Sequence, residues 1–322
     1  GIGSSAPQQP ELAGTNGEYP DRLYQGSTVA LHYRTGELAW WAQHHSDMWN
    51  DDAVYDRILV TTTVNPNPPT PLGINPDIDP SETKDLVIGS FSKDAIFYAY
   101  DRSDGEFLYA RPTAYQNIIA GYDGSTGAYQ IAPNAIMTAD IEHEATICRE
   151  NRQIPQGAYS PLTNAYYVPA FNGPCSVMKL NSLEPSLETG YNTSYIATVP
   201  TPAGHLGQPE AISVETGESL WRLERETPLY GMLTTGGGLL FAADTNRRFY
   251  AIDQWTGETL WTTILNGASD MAPISFGVNG KQYVAVLAPS GTQAAAQHAG
   301  QLGLSATTGV SNVGHTLFVF SL

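Results

Sequence analysis

Tyr250-Ala251-Ile252-Asp253-Gln254-Trp255-Thr256-Gly257-Glu258-Thr259-Leu260-Trp261 reads as a strand, a tight turn and a second strand. The apolar run Tyr250-Ala251-Ile252 suits a strand. The Thr-Gly-Glu step suits a hairpin turn in which glycine supplies a positive φ. Trp261 then follows on the return strand, where a large aromatic can dock against a neighbouring sheet.

The unit recurs. Val29-Ala30-Leu31-His32-Tyr33-Arg34-Thr35-Gly36-Glu37 leads to Trp40 and Trp41. Phe97-Tyr98-Ala99-Tyr100 leads through Asp104-Gly105-Glu106 to Tyr109, and Ala211-Ile212-Ser213-Val214 leads through Thr216-Gly217-Glu218 to Trp221. Repeated strand–turn–strand units with a docking tryptophan predict an all-β chain, a β-propeller. Trp40, Trp41, Trp221 and Trp261 are expected in the docking core. The turn glycines at 36, 105, 217 and 257 are unevenly spaced. A further unit with a degenerate turn is therefore expected near residues 177–183, giving about four blades. The closing Thr316-Leu317-Phe318-Val319-Phe320 reads as a last strand that pairs with a first blade. Two stretches read as insertions: 65–85, rich in Pro, Asn and Asp and expected to hold no strand, and 113–147, expected to be irregular.

Composition narrows the function. The 322 residues hold 32 Asp and Glu against 15 Lys and Arg, a net charge of −17. That balance excludes nucleic acid, which requires clustered cations, and favours a cationic partner such as a small electron carrier. No apolar run is long enough to span a bilayer. The chain starts Gly1-Ile2-Gly3 without Met or signal peptide, so its start is expected to be a processed or cut end. Cys148 and Cys175 form no metal or haem motif. They read either as two buried thiols or as one disulfide.

Several segments together resemble the pyrroloquinoline quinone (PQQ) alcohol dehydrogenases, the methanol and ethanol dehydrogenase class. Gly1-Ile2-Gly3-Ser4-Ser5-Ala6-Pro7 is similar to the family's Gly-Thr-Gly-Asn-Pro-Ala-Pro. Residues 35–49 resemble its Gln-His, His-Asp-x-Trp-Asp stretch, and 91–105 its Lys-Asn-Gly and Asp-Arg-x-x-Gly. Residues 157–170 resemble its Ala-Tyr-Ser-Pro segment, and 236–261, 279–286 and 314–320 follow in order. The resemblance implies tryptophan-docked blades of an eight-bladed ring. This chain, 1–322, would form the C-terminal half, and a second chain would supply the N-terminal blades.

The resemblance also implies a PQQ cofactor, a calcium or lanthanide ion, and alcohol oxidation with electrons passed to a cytochrome c. The protein would then be periplasmic or secreted. The implied base lies in His44-His45-Ser46-Asp47-Met48-Trp49-Asn50-Asp51-Asp52. Asn50 stands where the family has its catalytic Asp, and an amide cannot act as a carboxylate base. Asp51 or Asp52 is then the expected substitute, with Asp47 a further candidate. Metal ligands would come from Ser4, Asn50 and Asp52, since hard cations take oxygen donors. Ser4 replaces the family's Asn.

For the quinone, Lys93 aligns with the family's basic residue; read without the family, it is a solvated turn lysine. The chain has only four lysines. Asn151 or Gln153 lies near the family's Asn-Trp pair, two residues out of register. Tyr230 stands where the family has Trp-Gly, offering a backbone contact or packing. His44 and His45 read as polar flank, Asp77 and Asp79 as a solvated loop, and Asn192-Thr193-Ser194 as a chance sequon. The alternative function is a non-catalytic propeller scaffold, favoured by Asn50 and Ser4.

Overall fold

In a computed structural model the described residues are 24–45, 53–136, 143–149, 156–180, 193–288 and 315–321. They form antiparallel strands, with one single-turn 3-10 helix at Pro133–Ala135 and no α-helix among them. The chain divides into two compact units. The first holds residues 1–151 and 172–204, the second 152–171 and 205–322.

In the first unit, β1 (Ser27–Leu31) pairs with β2 (Leu38–Gln43). A five-stranded sheet runs β3 (Ile58–Thr63), β5 (Thr83–Gly89), β6 (Ile96–Asp101), β7 (Phe107–Pro112), β4 (Gly73–Ile74). A hairpin joins β8 (Ile119–Tyr122) to β9 (Tyr129–Ile131), and β10 (Glu144–Ile147) pairs with β13 (Cys175–Leu180), itself paired to β14 (Thr193–Val199). In the second unit, β11 (Ala158–Ser160), β12 (Ala165–Phe171), β15 (Gly207–Ser213) and β16 (Ser219–Arg222) form one sheet. The next runs β17 (Leu229–Thr234), β18 (Leu239–Asp244), β19 (Arg248–Asp253), β20 (Thr259–Ile264). The last holds β21 (Ile274–Val278), β22 (Lys281–Ala288) and β23 (Thr316–Ser321).

The repeated turns share one geometry. Gly36, Gly105, Gly217 and Gly257 all have φ between +70° and +81°, and the N–H of each bonds the carbonyl four residues back. The residue before each glycine accepts the backbone N–H two positions on, through the hydroxyl of Thr35, Thr216 or Thr256 or the carboxylate of Asp104. That shared task explains why Thr and Asp interchange there.

A fifth copy was not read from the sequence. Tyr122-Asp123-Gly124-Ser125-Thr126-Gly127 forms the β8–β9 turn, with Gly127 at φ +71° and Asp123 Oδ1 accepting the Ser125 and Thr126 amides. The described residues of 113–147 are thus not irregular: they carry β8, β9, the 3-10 turn and the whole of β10. Residues 65–85 likewise hold β4 and the start of β5. In both cases the strands are too short, or too rich in Gly and small residues, to show an alternating pattern.

Docking follows the repeats. Trp40 Nε1 donates to the Arg102 carbonyl at 2.8 Å, and its ring lies so close to Gly105 that an added Cβ would stand 2.6 Å from it. Phe107 meets Gly127 in the same way. Trp41 and Trp261, expected in the docking core, are instead 39 % and 42 % exposed. Trp41 meets Tyr24 edge-on, and Trp261 packs against Phe249 and Phe320. Cys148 and Cys175 form a disulfide.

Candidate functional site

The connection from β5 to β6, Ser90-Phe91-Ser92-Lys93-Asp94-Ala95, carries the one sequence-assigned cofactor residue of the first unit that lies among the described residues. Lys93 is 5 % exposed, not a solvated turn lysine. The turn that holds it is strained and pinned. Ala95 has φ +61°, a left-handed conformation that costs a residue with a Cβ about 1–2 kcal/mol. Its carbonyl accepts the Thr113 N–H at 2.7 Å. Asp94 Oδ1 accepts the Ile96 N–H at 2.9 Å, and the Asp94 N–H bonds Ser92 Oγ at 3.3 Å.

The other oxygen of Asp94 faces inward. Tyr98 donates its hydroxyl to Oδ2 at 2.5 Å, and His45 Nε2 lies 3.3 Å from the same atom. The Tyr122 hydroxyl sits 2.8 Å from that of Tyr98 and donates to the His44 carbonyl at 3.0 Å. Strand alternation puts Tyr98 and Tyr100 on one face of β6, where both meet Phe91. Burial and the neighbouring Asp94 push the Tyr98 hydroxyl well above its ordinary range, so it stays protonated and donates its hydrogen bond to Asp94.

His44 and His45 are fully buried, which corrects their reading as polar flank. The His44 ring packs on Phe91, Tyr98 and Tyr100. Burial first, then the charges of Arg57 and His45, pull its pKa well below 6.5. Both ring nitrogens have hydroxyl partners: Thr28 Oγ1, which also accepts Arg57 Nε–H at 3.0 Å, lies 2.9 Å from His44 Nε2, and the Tyr100 hydroxyl lies 3.1 Å from Nδ1. The Arg57 guanidinium lies 4.7 Å from the Phe91 ring centre, and burial lowers its pKa to about 10. A cavity of about 610 Å³ opens beside this cluster; Tyr100 lines it with Trp41, Gln43, Phe107, Tyr129 and Ile136.

Tyr230 lies in β17 of the second unit and is buried. Gly231, after it, has φ +46°, and the backbone of Ala272 leaves no room there for a side chain. Asp79 caps its own loop by accepting from Ser81, which holds its carboxyl below the usual range. No group of three or more His, Cys, Asp or Glu among the described residues is arranged to hold a metal. Ser4, Asp47, Asn50, Asp51, Asp52, Asn151 and Gln153 lie outside the described residues, as does Asn192 of the sequon.

Residues 200–284 fit the family model described as the PQQ β-propeller domain of glucose, ethanol and alcohol dehydrogenases. The 1-butanol dehydrogenase (cytochrome c) of Thauera butanivorans is 27 % identical over 277 residues, covering 83 % of this chain and 38 % of that protein. The quinohemoprotein alcohol dehydrogenase of Comamonas testosteroni is 26 % identical over 304 residues, covering 89 % of this chain and 39 % of that protein. The crystal structure of the Comamonas testosteroni enzyme superposes with a TM-score of 0.78 at 21 % identity, over 99 % of this chain and 45 % of that one. A europium-containing methanol dehydrogenase gives 0.74 at 23 %, over 92 % and 53 %. The fold is therefore the β-propeller, and the resemblance is to the PQQ-dependent dehydrogenases. The chain spans about two-fifths of the length of the relatives it matches in sequence.

Proposed function

We propose that this chain is part of a PQQ-dependent dehydrogenase that oxidises an alcohol and passes the electrons to a cytochrome c. The observation that carries this reading is the burial of Lys93 on a pinned, strained turn. Strain of this kind clusters at functional sites, and a buried ammonium fits an oxygen-rich, anionic quinone. When bound, PQQ supplies the two-electron acceptor for the alcohol. Lys93 would hold a quinone oxygen and offset the negative charge that develops there. Tyr230 would contribute packing and its backbone edge. Asn151 or Gln153 completes the proposed quinone set.

Calcium or a lanthanide is the proposed metal, with Ser4, Asn50 and Asp52 as its candidate ligands and Asp51 or Asp52 as the proton acceptor. A Methylacidiphilum fumariolicum relative is named a lanthanide-dependent methanol dehydrogenase, which supports that range of metals. The electron acceptor is supported by the name of the Thauera relative and by the charge of −17. A partner chain supplying further blades is part of the same proposal. The Cys148–Cys175 disulfide supports an oxidising, periplasmic or secreted setting. No helix among the described residues is long and apolar enough to cross a membrane.

The test is alcohol-dependent reduction of cytochrome c by the natural protein supplied with PQQ and calcium or lanthanum. Reduction that requires both alcohol and PQQ is expected. Asn50, in place of the family's Asp, favours a second reading, a scaffold without chemistry. No turnover with any alcohol, in protein that holds the quinone, would select it.

A further inference from the structure

We infer that Asp94 is a positioning residue for Lys93, holding the ammonium in place through the turn they share. The inference rests on the quinone reading above. Three features of the chain itself lead to it. Asp94 is fully buried, and its two oxygens are committed to different elements: Oδ1 to the Ile96 N–H at the start of β6, Oδ2 to the Tyr98 hydroxyl and towards His45 Nε2 after β2. Ala95, the next residue, occupies the left-handed region at φ +61°, where a residue with a Cβ persists only if its surroundings enforce it. Lys93, the residue before, is 5 % exposed, so its direction is set inside the protein.

These features have one physical consequence. The backbone from Ser92 to Ala95 lies between the β5 and β6 ladders. The Asp94 carboxyl holds it at the Ile96 N–H, the Asp94 N–H bonds Ser92 Oγ, and the Thr113 N–H holds the Ala95 carbonyl. A shift of this turn would carry the Lys93 side chain with it. Tyr98 and His45 determine where Asp94 sits, and Tyr122 in turn contacts Tyr98 at 2.8 Å and the His44 carbonyl at 3.0 Å. The strand end Ala42–His45 and the Lys93 turn are thereby tied together through buried polar groups. Asp94 itself need not touch the quinone.

A double-mutant cycle tests this in the natural protein freed of quinone, with Lys93→Met, Asp94→Asn and the pair. Titration with PQQ gives quinone affinity. Acetic anhydride labelling read by mass spectrometry gives the accessibility of Lys93, with the exposed Lys281 as internal reference. If Asp94 acts through Lys93, each single variant weakens quinone binding about tenfold and the double variant weakens it no further, because residues acting as one unit are not additive. Asp94→Asn is expected to raise Lys93 labelling by about tenfold relative to Lys281. Additive losses, or unchanged labelling, would overturn the inference.

Where Asp94→Asn does not fold, Tyr98→Phe removes one donor and keeps the carboxyl. Labelling of Lys93 about threefold faster than in the parent is expected from a partial loosening of this kind, and no change overturns the inference. If the parent protein binds no PQQ, the quinone reading fails, and labelling alone decides whether Asp94 positions Lys93.

Discussion

The indole of Trp221 lies against the α-carbon of Gly257. A Cβ at Gly257 would stand 2.9 Å from ring carbon Cδ2, and Trp221 Nε1 donates to the Gln254 carbonyl in the same turn at 2.9 Å. The ring of one repeat thus uses both the missing side chain and a carbonyl of the next. Gly36 occupies the equivalent turn with φ +74° but has nothing within 4 Å of an added Cβ.

The two glycines separate backbone strain from docking. Gly36→Ala is expected to cost about 1–2 kcal/mol, from the left-handed backbone alone. Gly257→Ala bears that cost and an overpacking cost of about 1–3 kcal/mol against the indole. Denaturant titration of both variants checks the ordering. Equal losses would mean that Trp221 does not dock on Gly257.

Ala95 sets strain against burial. Ala95→Gly relieves the cost of φ +61°, about 1–2 kcal/mol, offset by about 0.4–1 kcal/mol of extra freedom in the unfolded chain and about 0.8 kcal/mol for the buried methyl group that is lost. A denaturant midpoint close to that of the parent is expected. A loss of about 1–2 kcal/mol, the two offsets alone, would show that Ala95 is not strained.

What the sequence revealed depended on how local each cause is. The turn at Gly257 was legible because glycine, threonine and the carbonyl four residues back act within one short segment. Trp221 was legible as a docking residue because it recurs in register with that turn. The partner faces of Trp41 and Trp261 were not, since exposure depends on which strands come beside them. The β8–β9 repeat was obscured because Phe107, not tryptophan, docks on Gly127. At the candidate site, Lys93 was legible through the family pattern alone. The burial of His44 and His45 was not, because their partners Tyr100, Asp94 and Tyr98 lie about fifty residues away and a lone polar pair carries no periodic signal.

The Cys148–Cys175 disulfide spans a sequence separation of 27. A loop of that length stabilises by about 3 kcal/mol, mainly by restricting the unfolded chain. The parent is expected to melt several degrees lower in reductant, and the Cys148→Ser, Cys175→Ser double variant to melt at that lower temperature with or without it. Melting curves with and without dithiothreitol check this.

His44 makes the fold sensitive to acid. Its folded pKa lies below 6.5, so as pH falls through about 6.5 the unfolded chain binds a proton that the folded one does not. Stability is therefore full above about 6.5 and declines below it. His44→Gln, which keeps hydrogen-bonding atoms and does not titrate, is expected to flatten the denaturant midpoint between about pH 6.5 and 5. An unchanged slope would assign the acid sensitivity elsewhere.

The quinone content of the purified natural protein tests the central claim most directly. PQQ is released by denaturation, identified by mass spectrometry and quantified by absorbance, in the parent and in Lys93→Met. About one PQQ per protein, with occupancy falling severalfold in the variant, is the expected result. Protein that carries no PQQ, and takes none up when PQQ and calcium or lanthanum are supplied, would contradict it.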